Sequence, residues 1–415
     1  MSAATGFLGK HFVPALTALS ENTYLSAIRA GMVSVVPLTL IGGLFMIVAY
    51  LPFEGWEARI APYLQLLQVP VTATFGLLAV FVCFAIAYDL GKRLQQEAIV
   101  SAMMATLVFL MIQLQLKDLA FSMDGLGSKG LFTAVLIALV SVRVQKFFND
   151  KNAVIRLPAN VPPVVYESFL SISPLFFLVL VFWVIRFVLG VDINDFVQTA
   201  FKPLVFALNT LPGILVYAFL VTLLWSIGIN GDNTLDAIVA PIFLQFLLAN
   251  AEAAKQGIPL PYITANGFFT TFVNVGGTGA TIALALILMN SREPGFRKIS
   301  RLSLPTQIFQ INEPIFFGLP IVLNPLFMVP YILNALLLTA GSYLLIDWGI
   351  IHKPIVPVLW TTPPIIGHYL VTGGDWKAAV WGAASIFIAM LVYYPFAKAA
   401  ERQRLKAEAA GVAGE

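Results

Sequence analysis

The sequence predicts an all-α polytopic membrane protein with about ten transmembrane helices, interfacial amphipathic helices and two re-entrant hairpins. Three observations carry that expectation. The 415 residues are 59% hydrophobic and 11% charged, against roughly 45–50% and 25% in ordinary soluble domains. Apolar runs near the roughly 20 residues needed to cross a bilayer recur along the chain. Two apolar stretches are also interrupted by Asn, Gly, Thr and Pro, residues that a straight lipid-facing helix does not need.

Residues 1–26 read as a short amphipathic lead-in, with Phe7, Phe12, Leu16 and Leu19 at helix-like spacing. Nothing in MSAATGFLGKHF resembles a cleaved signal peptide, so the first span is the expected targeting signal. Five apolar runs follow, over 30–51, 71–88, 98–114, 131–148 and 169–189. In the loops between them Lys10, Lys92, Arg93, Arg143, Lys146, Lys151 and Arg156 fall on one side, and Arg59, Lys117 and Lys129 on the other. The positive-inside rule then puts the N-terminus in the cytoplasm. The tail, with Lys398, Arg402, Arg404 and Lys406, is basic too and is expected on the same side, which requires an even number of crossings.

Composition divides the chain into a five-span half over 1–190, an interfacial amphipathic linker over 191–212, a second half over 213–395 and a basic tail over 396–415. The linker is marked by Phe196, Phe201, Leu204, Phe206 and Leu208 among polar residues. A sixth span over 213–229 runs into GINGDNTLD. Between Lys255 and Arg292 no residue is charged, yet Asn266, Asn274, Gly276, Gly277, Thr278 and Thr281 crowd the segment. The second interrupted stretch surrounds Glu313. Both are expected to be re-entrant hairpins whose tips meet. A span over about 327–345, a third irregular stretch over 356–376 and a last span over 378–395 complete the second half.

Glu313 is the point of greatest chemical tension. It is the only charged side chain between Leu302 and Ile346, and a central charge costs roughly 2.5–3.5 kcal/mol to insert in lipid. Pro305, Pro314, Gly318, Pro320 and Pro325 exclude one straight helix through the same stretch. Broken backbone persists at membrane depth only where protein or a cavity surrounds it, so Glu313 is a binding-site residue on these grounds.

A neutral sugar is recognised through hydroxyls, which want charged or amide partners, and through C–H faces, which want aromatic rings. The residues of those types at pocket depth are Asn230, Asp232, Asn233, Asn274, Thr278, Asn312, Glu313 and Trp360. Each has a plainer alternative. Asn230 to Asn233 are good turn formers after a span. GGTGAT makes either a close helix contact or a backbone cradle, and Trp360 belongs either to the interfacial aromatic belt or to a stacking platform. His368 is read as a structural hydrogen-bonder, His11 and His352 as peripheral, and Asp89 with Lys92 and Arg93 as a local ion pair. The single cysteine, Cys83, lies in an apolar run, which excludes a disulfide framework or a thiolate metal cluster. No metal or cofactor is expected. A net charge of +3 gives no reason to expect nucleic acid.

GINGDN (228–233), NVGGTGAT (274–281), INEPIFFGLPIVLNP (311–325) and WTTPP (360–364), in this order, resemble the EIIC membrane component of the bacterial phosphotransferase system, in its lactose/cellobiose/diacetylchitobiose branch. The likeness covers nearly the whole chain. It implies a homodimer in the bacterial cytoplasmic membrane, with an N-terminal oligomerisation half and a C-terminal substrate-binding transport half. It also implies a disaccharide substrate, translocated for phosphorylation of its primary hydroxyl by a phosphocysteine protein, EIIB. Glu313 maps onto the family's essential glutamate near that hydroxyl and Trp360 onto a sugar-stacking residue. Asn230 departs from the pattern, since relatives often carry His there, so any proton acceptance falls to Glu313. No phosphorylatable domain is evident in the sequence, and EIIB and EIIA are expected as separate proteins with no autonomous catalysis here. The competing expectation is an ion-coupled secondary sugar transporter with Glu313 as the coupling site.

Overall fold

The protein is described by a computed structural model over residues 21–49, 55–117, 119–155 and 169–412. Most of the amphipathic lead-in expected over 1–26, including Lys10 and His11, lies outside these residues, as does Arg156. All regular structure among the described residues is helical, apart from one isolated antiparallel bridge between Leu114 and Phe121.

Among the described residues, seven stretches are long and apolar enough to cross a membrane: Thr23–Met46, Ala58–Arg93, Ser128–Asp150, Gly231–Lys255, Phe268–Leu288, Pro325–Asp347 and Trp376–Lys406. A bent pair, Ile172–Val188 and Ile193–Leu208, meets at 88°, and two shorter apolar helices cover Ala98–Ile112 and Leu211–Ser226. The 88° bend falls where composition changes at the linker.

In the N-terminal half, α1 (Thr23–Ser34) starts at Asn22, whose side chain accepts from the Tyr24 and Leu25 N–H groups, satisfying donors that a helix start leaves open. Helix α2 (Val36–Ala49) packs on α3 (Leu64–Phe75). Helix α4 (Leu78–Arg93) packs against α1, α5 (Ala98–Ile112) and α6 (Leu131–Asp150). Next come α7 (Ile172–Trp183), extended by a π turn, and α8 (Ile193–Leu208), capped by Asp192.

The C-terminal half begins with α9 (Leu211–Ser226) and α10 (Gly231–Lys255). Helix α10 is a crossing to which the sequence pattern gave no span, because Asp232, Asp236 and Pro241 interrupt its apolar run. Two carboxylates in the first turns suit a helix N-terminus, where the macrodipole favours negative charge, and Asn230 caps it. A π-helical segment, Phe268–Val273, leads to a break over 274–280 and then to α11 (Thr281–Leu288). This first interrupted stretch is a broken helix long enough to cross rather than a hairpin, and 94% of its most apolar window is buried.

The Glu313 stretch does turn back. Helix α12 (Pro294–Ile308) is followed by a turn and by α13 (Glu313–Gly318), which packs against it. At 1.5 Å per residue α13 is about 9 Å long, too short to cross. After α14 (Pro325–Asp347), the third irregular stretch ends in α15 (Pro364–Val371), about 12 Å long by the same rise and folded against α16 (Trp376–Val412). The dead-end arms are therefore α13 and α15. Helix α16 continues through Pro395 into the basic tail. The halves meet where α10 packs on α1.

Candidate functional site

A cavity of about 400 Å³ opens where the halves meet. Its wall includes Arg29 and Met32 of α1, Trp225 of α9, the start of α10, Asn274, Gly277 and Thr278 of the break, Gln310, Asn312 and Glu313, and the loop from Pro357 to Trp360. All eight residues singled out from sequence line it: Asn230, Asp232, Asn233, Asn274, Thr278, Asn312, Glu313 and Trp360.

Capping places the first three. Asn230 Oδ1 accepts from the Asn233 N–H at 2.9 Å, and the Asn233 carbonyl accepts from the Arg29 guanidinium at 2.8 Å. GINGDN is thus a turn and a cavity wall at once. Asp232 is the polar hub: Trp225 Nε1 donates to its Oδ2 at 2.8 Å, Thr278 Oγ1 to the same oxygen at 2.5 Å, and Asn274 Nδ2 to Oδ1 at 3.0 Å. Hydrogen bonds to a charged group are worth about 1.5–3 kcal/mol each, so this carboxylate clamps the break to the start of α10. Three of its roughly four acceptor positions are filled by protein.

The break and the Glu313 turn hold each other. Asn312 Nδ2 donates to the Thr278 carbonyl at 3.0 Å. Gln310 Oε1 accepts from Gly276 N–H at 2.8 Å and Gly277 N–H at 3.4 Å, and Gln310 Nε2 donates to the Thr270 carbonyl at 3.1 Å. The close approach needs glycine: Gly277 has φ of +103°, and a Cβ there would stand 2.4 Å from Asn312 Cβ. The two interrupted stretches meet, as expected, although only one of them is a hairpin.

Several acceptors on residues of the wall remain unclaimed, two of them beside the break and the Glu313 turn. Asn274 Oδ1 is buried with no hydrogen-bond partner among the described residues. Glu313, the first residue of α13, is exposed, and its carboxylate makes no hydrogen bond or ion pair with any described residue. Trp360, in the turn before α15, is 55% exposed, leaving its indole uncovered on the same wall. Trp225 is instead packed edge-on against Phe316, centroids 5.0 Å apart, and braces α13 from behind.

Gln310, Asp236 and Arg29 are among the polar wall residues that did not stand out in the sequence. Gln310 carries no local sign of its role beyond lying two residues from Asn312, and Arg29 reads as an ordinary flank of the first span. Asp236 carried a signal, being a second acid four residues after Asp232. His368 is outside the cavity wall: its Nδ1 meets the Pro364 carbonyl and its ring lies edge-on to Phe272 at 4.7 Å. His352 is exposed, Asp89 pairs with Arg93, and Cys83 is fully buried. Among the described residues no cluster of His, Cys, Asp or Glu could hold a metal ion.

The family profile "Phosphotransferase system, EIIC" matches residues 29–335. The chain belongs to the EIIC family of the phosphotransferase system. It is 34% identical to "Putative permease IIC component YwbA" of Bacillus subtilis (strain 168), over 100% of this chain and 99% of that protein. It is also 34% identical to the "PTS system cellobiose-specific EIIC component" of Geobacillus stearothermophilus, over 96% and 94% of the two chains. Among solved structures it resembles the crystal structure of ChbC, the IIC component of an N,N'-diacetylchitobiose-specific phosphotransferase system. The TM-score is 0.91 and the identity 32%, with 97% of this chain and 99% of that one covered. This EIIC protein is accordingly a multi-pass, sugar-specific permease of a phosphotransferase system. Nothing in these likenesses favours the ion-coupled alternative.

Proposed function

We propose that this EIIC protein binds a disaccharide of the cellobiose, chitobiose or lactose type in the cavity described above. The observation that carries the proposal is the pairing of two unclaimed acceptors, Glu313 and Asn274 Oδ1, with the open indole of Trp360. Sugar hydroxyls supply the missing donors and a pyranose face covers the ring. A volume of about 400 Å³ is ample for such a ligand, within the roughly 300–1,000 Å³ usual for small-molecule pockets. Asn230, Asn233 and Thr278 line the remaining wall together with Asp232 and Asn312, whose side chains also hold its segments to one another. The cellobiose-specific and N,N'-diacetylchitobiose-specific relatives point to the same substrate class.

Glu313 is the proposed catalytic group. It accepts the proton of the primary hydroxyl as that oxygen bonds to phosphorus, while the P–S bond to the EIIB cysteine breaks and the thiolate leaves with the electron pair. Most of the assistance in phosphoryl transfer is positioning and charge stabilisation, so one well-placed carboxylate suffices without a histidine at 230. The phosphoryl donor is a separate EIIB, itself charged by EIIA. The basic loops support cytoplasmic N- and C-termini, and the N-terminal half is the proposed homodimer contact.

Glu313→Gln tests the assignment. Removing a general base costs about 100-fold or more, so phosphorylation by EIIB and sugar uptake should fall at least that far while the purified protein elutes as wild type. Wild-type phosphorylation by the variant would overturn it.

A further inference from the structure

Asp236 follows Asp232 by one turn of α10, and the i,i+4 spacing puts both carboxylates on one face of the helix. Both line the cavity. They are not equivalent: Asp232 holds three protein donors, whereas the Asp236 carboxylate makes no hydrogen bond or ion pair with any described residue. Its neighbours on the wall are Tyr217, Ala240, Phe243 and Leu244. A carboxylate among such groups is costly unless something donates to it.

Helix α1, packed on α10, supplies a complementary group. Arg29, from α1, lines the same cavity as Asp236. One of its N–H groups is taken by the Asn233 carbonyl, and a guanidinium carries five donors. Tyr217 packs edge-on against Phe243 and Phe269, centroids 5.5 and 4.8 Å apart, so this end also presents aromatic surface. The chemistry repeats that around Glu313: an acceptor without a partner, polar hydrogen-bonding groups and aromatic rings. From Gly231 to Asp236 the helix rises about 7.5 Å, which sets Asp236 along α10 from its capped end.

We propose that Asp236 and Arg29 form a second hydroxyl-binding subsite, which holds the sugar ring remote from the phosphorylated hydroxyl. This rests on the disaccharide reading given above. Asp236 accepts from hydroxyls of that ring and Arg29 donates to its hydroxyl or acetal oxygens, so the site selects two-ring sugars over their one-ring components.

The test measures binding of cellobiose, lactose and N,N'-diacetylchitobiose, and of glucose, galactose and N-acetylglucosamine, to the purified full-length protein by calorimetry. For the disaccharide that wild type binds best, Asp236→Asn should weaken affinity about tenfold or more and leave the component monosaccharide within about twofold. Arg29→Gln, on α1, should shift the same ratio in the same direction, so the test does not hang on the folding of one variant. Equal loss for both sugars, or no change in either, overturns the subsite. Wild-type protein that binds only monosaccharides overturns the disaccharide reading and the subsite with it. An unchanged ratio in the variants removes the subsite alone.

Discussion

The two halves are both rich in apolar residues, yet one builds regular helices and the other a broken scaffold. In the N-terminal half α4 presents a fully buried stripe, Leu78, Ala79, Val82, Cys83, Ile86, Ala87 and Leu90, while Phe81, Phe84 and Tyr88 on other faces are exposed. Exposed aromatics of this kind are at home against lipid. Polar side chains there pair between neighbouring helices, as Ser101 does with Gln145 at 2.5 Å. In the C-terminal half the backbone takes positive φ at Gly276, Gly277, Gly279 and Ala280. Its orphaned groups are met from other segments: Gln310 reaches the Thr270 carbonyl, Asn312 that of Thr278, and Tyr393 that of Gly279 at 2.7 Å. Irregular backbone is stable at membrane depth only where partners replace the lost helix bonds. The same irregularity brings amide and carboxylate groups to a cavity that straight helices would seal.

Matched glycine substitutions offer the sharpest way to break this comparison. Gly277→Ala meets Asn312 and a φ of +103°, strain and overpacking that together cost about 2–6 kcal/mol. Sugar binding should be lost even in protein that remains folded. Gly31→Ala sets a Cβ 2.4 Å from Ile86 Cγ1, an overpacking of about 1–3 kcal/mol. It should lower the thermal midpoint and leave sugar affinity intact. Melting curves and titrations on both variants check the pair, and loss of binding by Gly31→Ala at normal stability would erase the distinction.

A smaller effect is expected at Trp360. Removing the indole forfeits aromatic contact worth about 0.5–1.5 kcal/mol beyond its area, so Trp360→Ala should weaken sugar binding roughly tenfold. Unchanged affinity would return this residue to the aromatic belt. The smallest effect belongs to Asn230→His. The substitution gives up the Asn233 cap, at a cost of about 1 kcal/mol, and introduces an imidazole with an ordinary pKa of about 6.5. A neutral imidazole near the acceptor hydroxyl takes a proton, so phosphorylation should rise with pH through a step at or below that value, since a helix N-terminus disfavours the cation. A pH profile with the wild-type shape would place the hydroxyl elsewhere.

Much of the architecture was legible because each crossing must present a long apolar run, and runs are local. Helix α10 was not, since Asp232, Asp236 and Pro241 break the pattern while its cap and the helix dipole rescue the helix. Nor was the fate of the two interrupted stretches: Asn and Gly mark a break, but whether the chain then crosses or turns back depends on what packs beside it. The eight wall residues were found because polar groups stand out in apolar sequence. Arg29 and Gln310 did not stand out, as their partners lie 204 and 40 residues away.

By itself the sequence determined that this chain lives in a membrane, that its second half cannot be a bundle of plain helices, and that Glu313 requires a polar setting. Those follow from solvation, which acts residue by residue. Only the tertiary structure decided that Asp232 is held by protein while Asp236 and Glu313 are left open, because hydrogen-bond partners are assigned by packing between segments far apart in the chain.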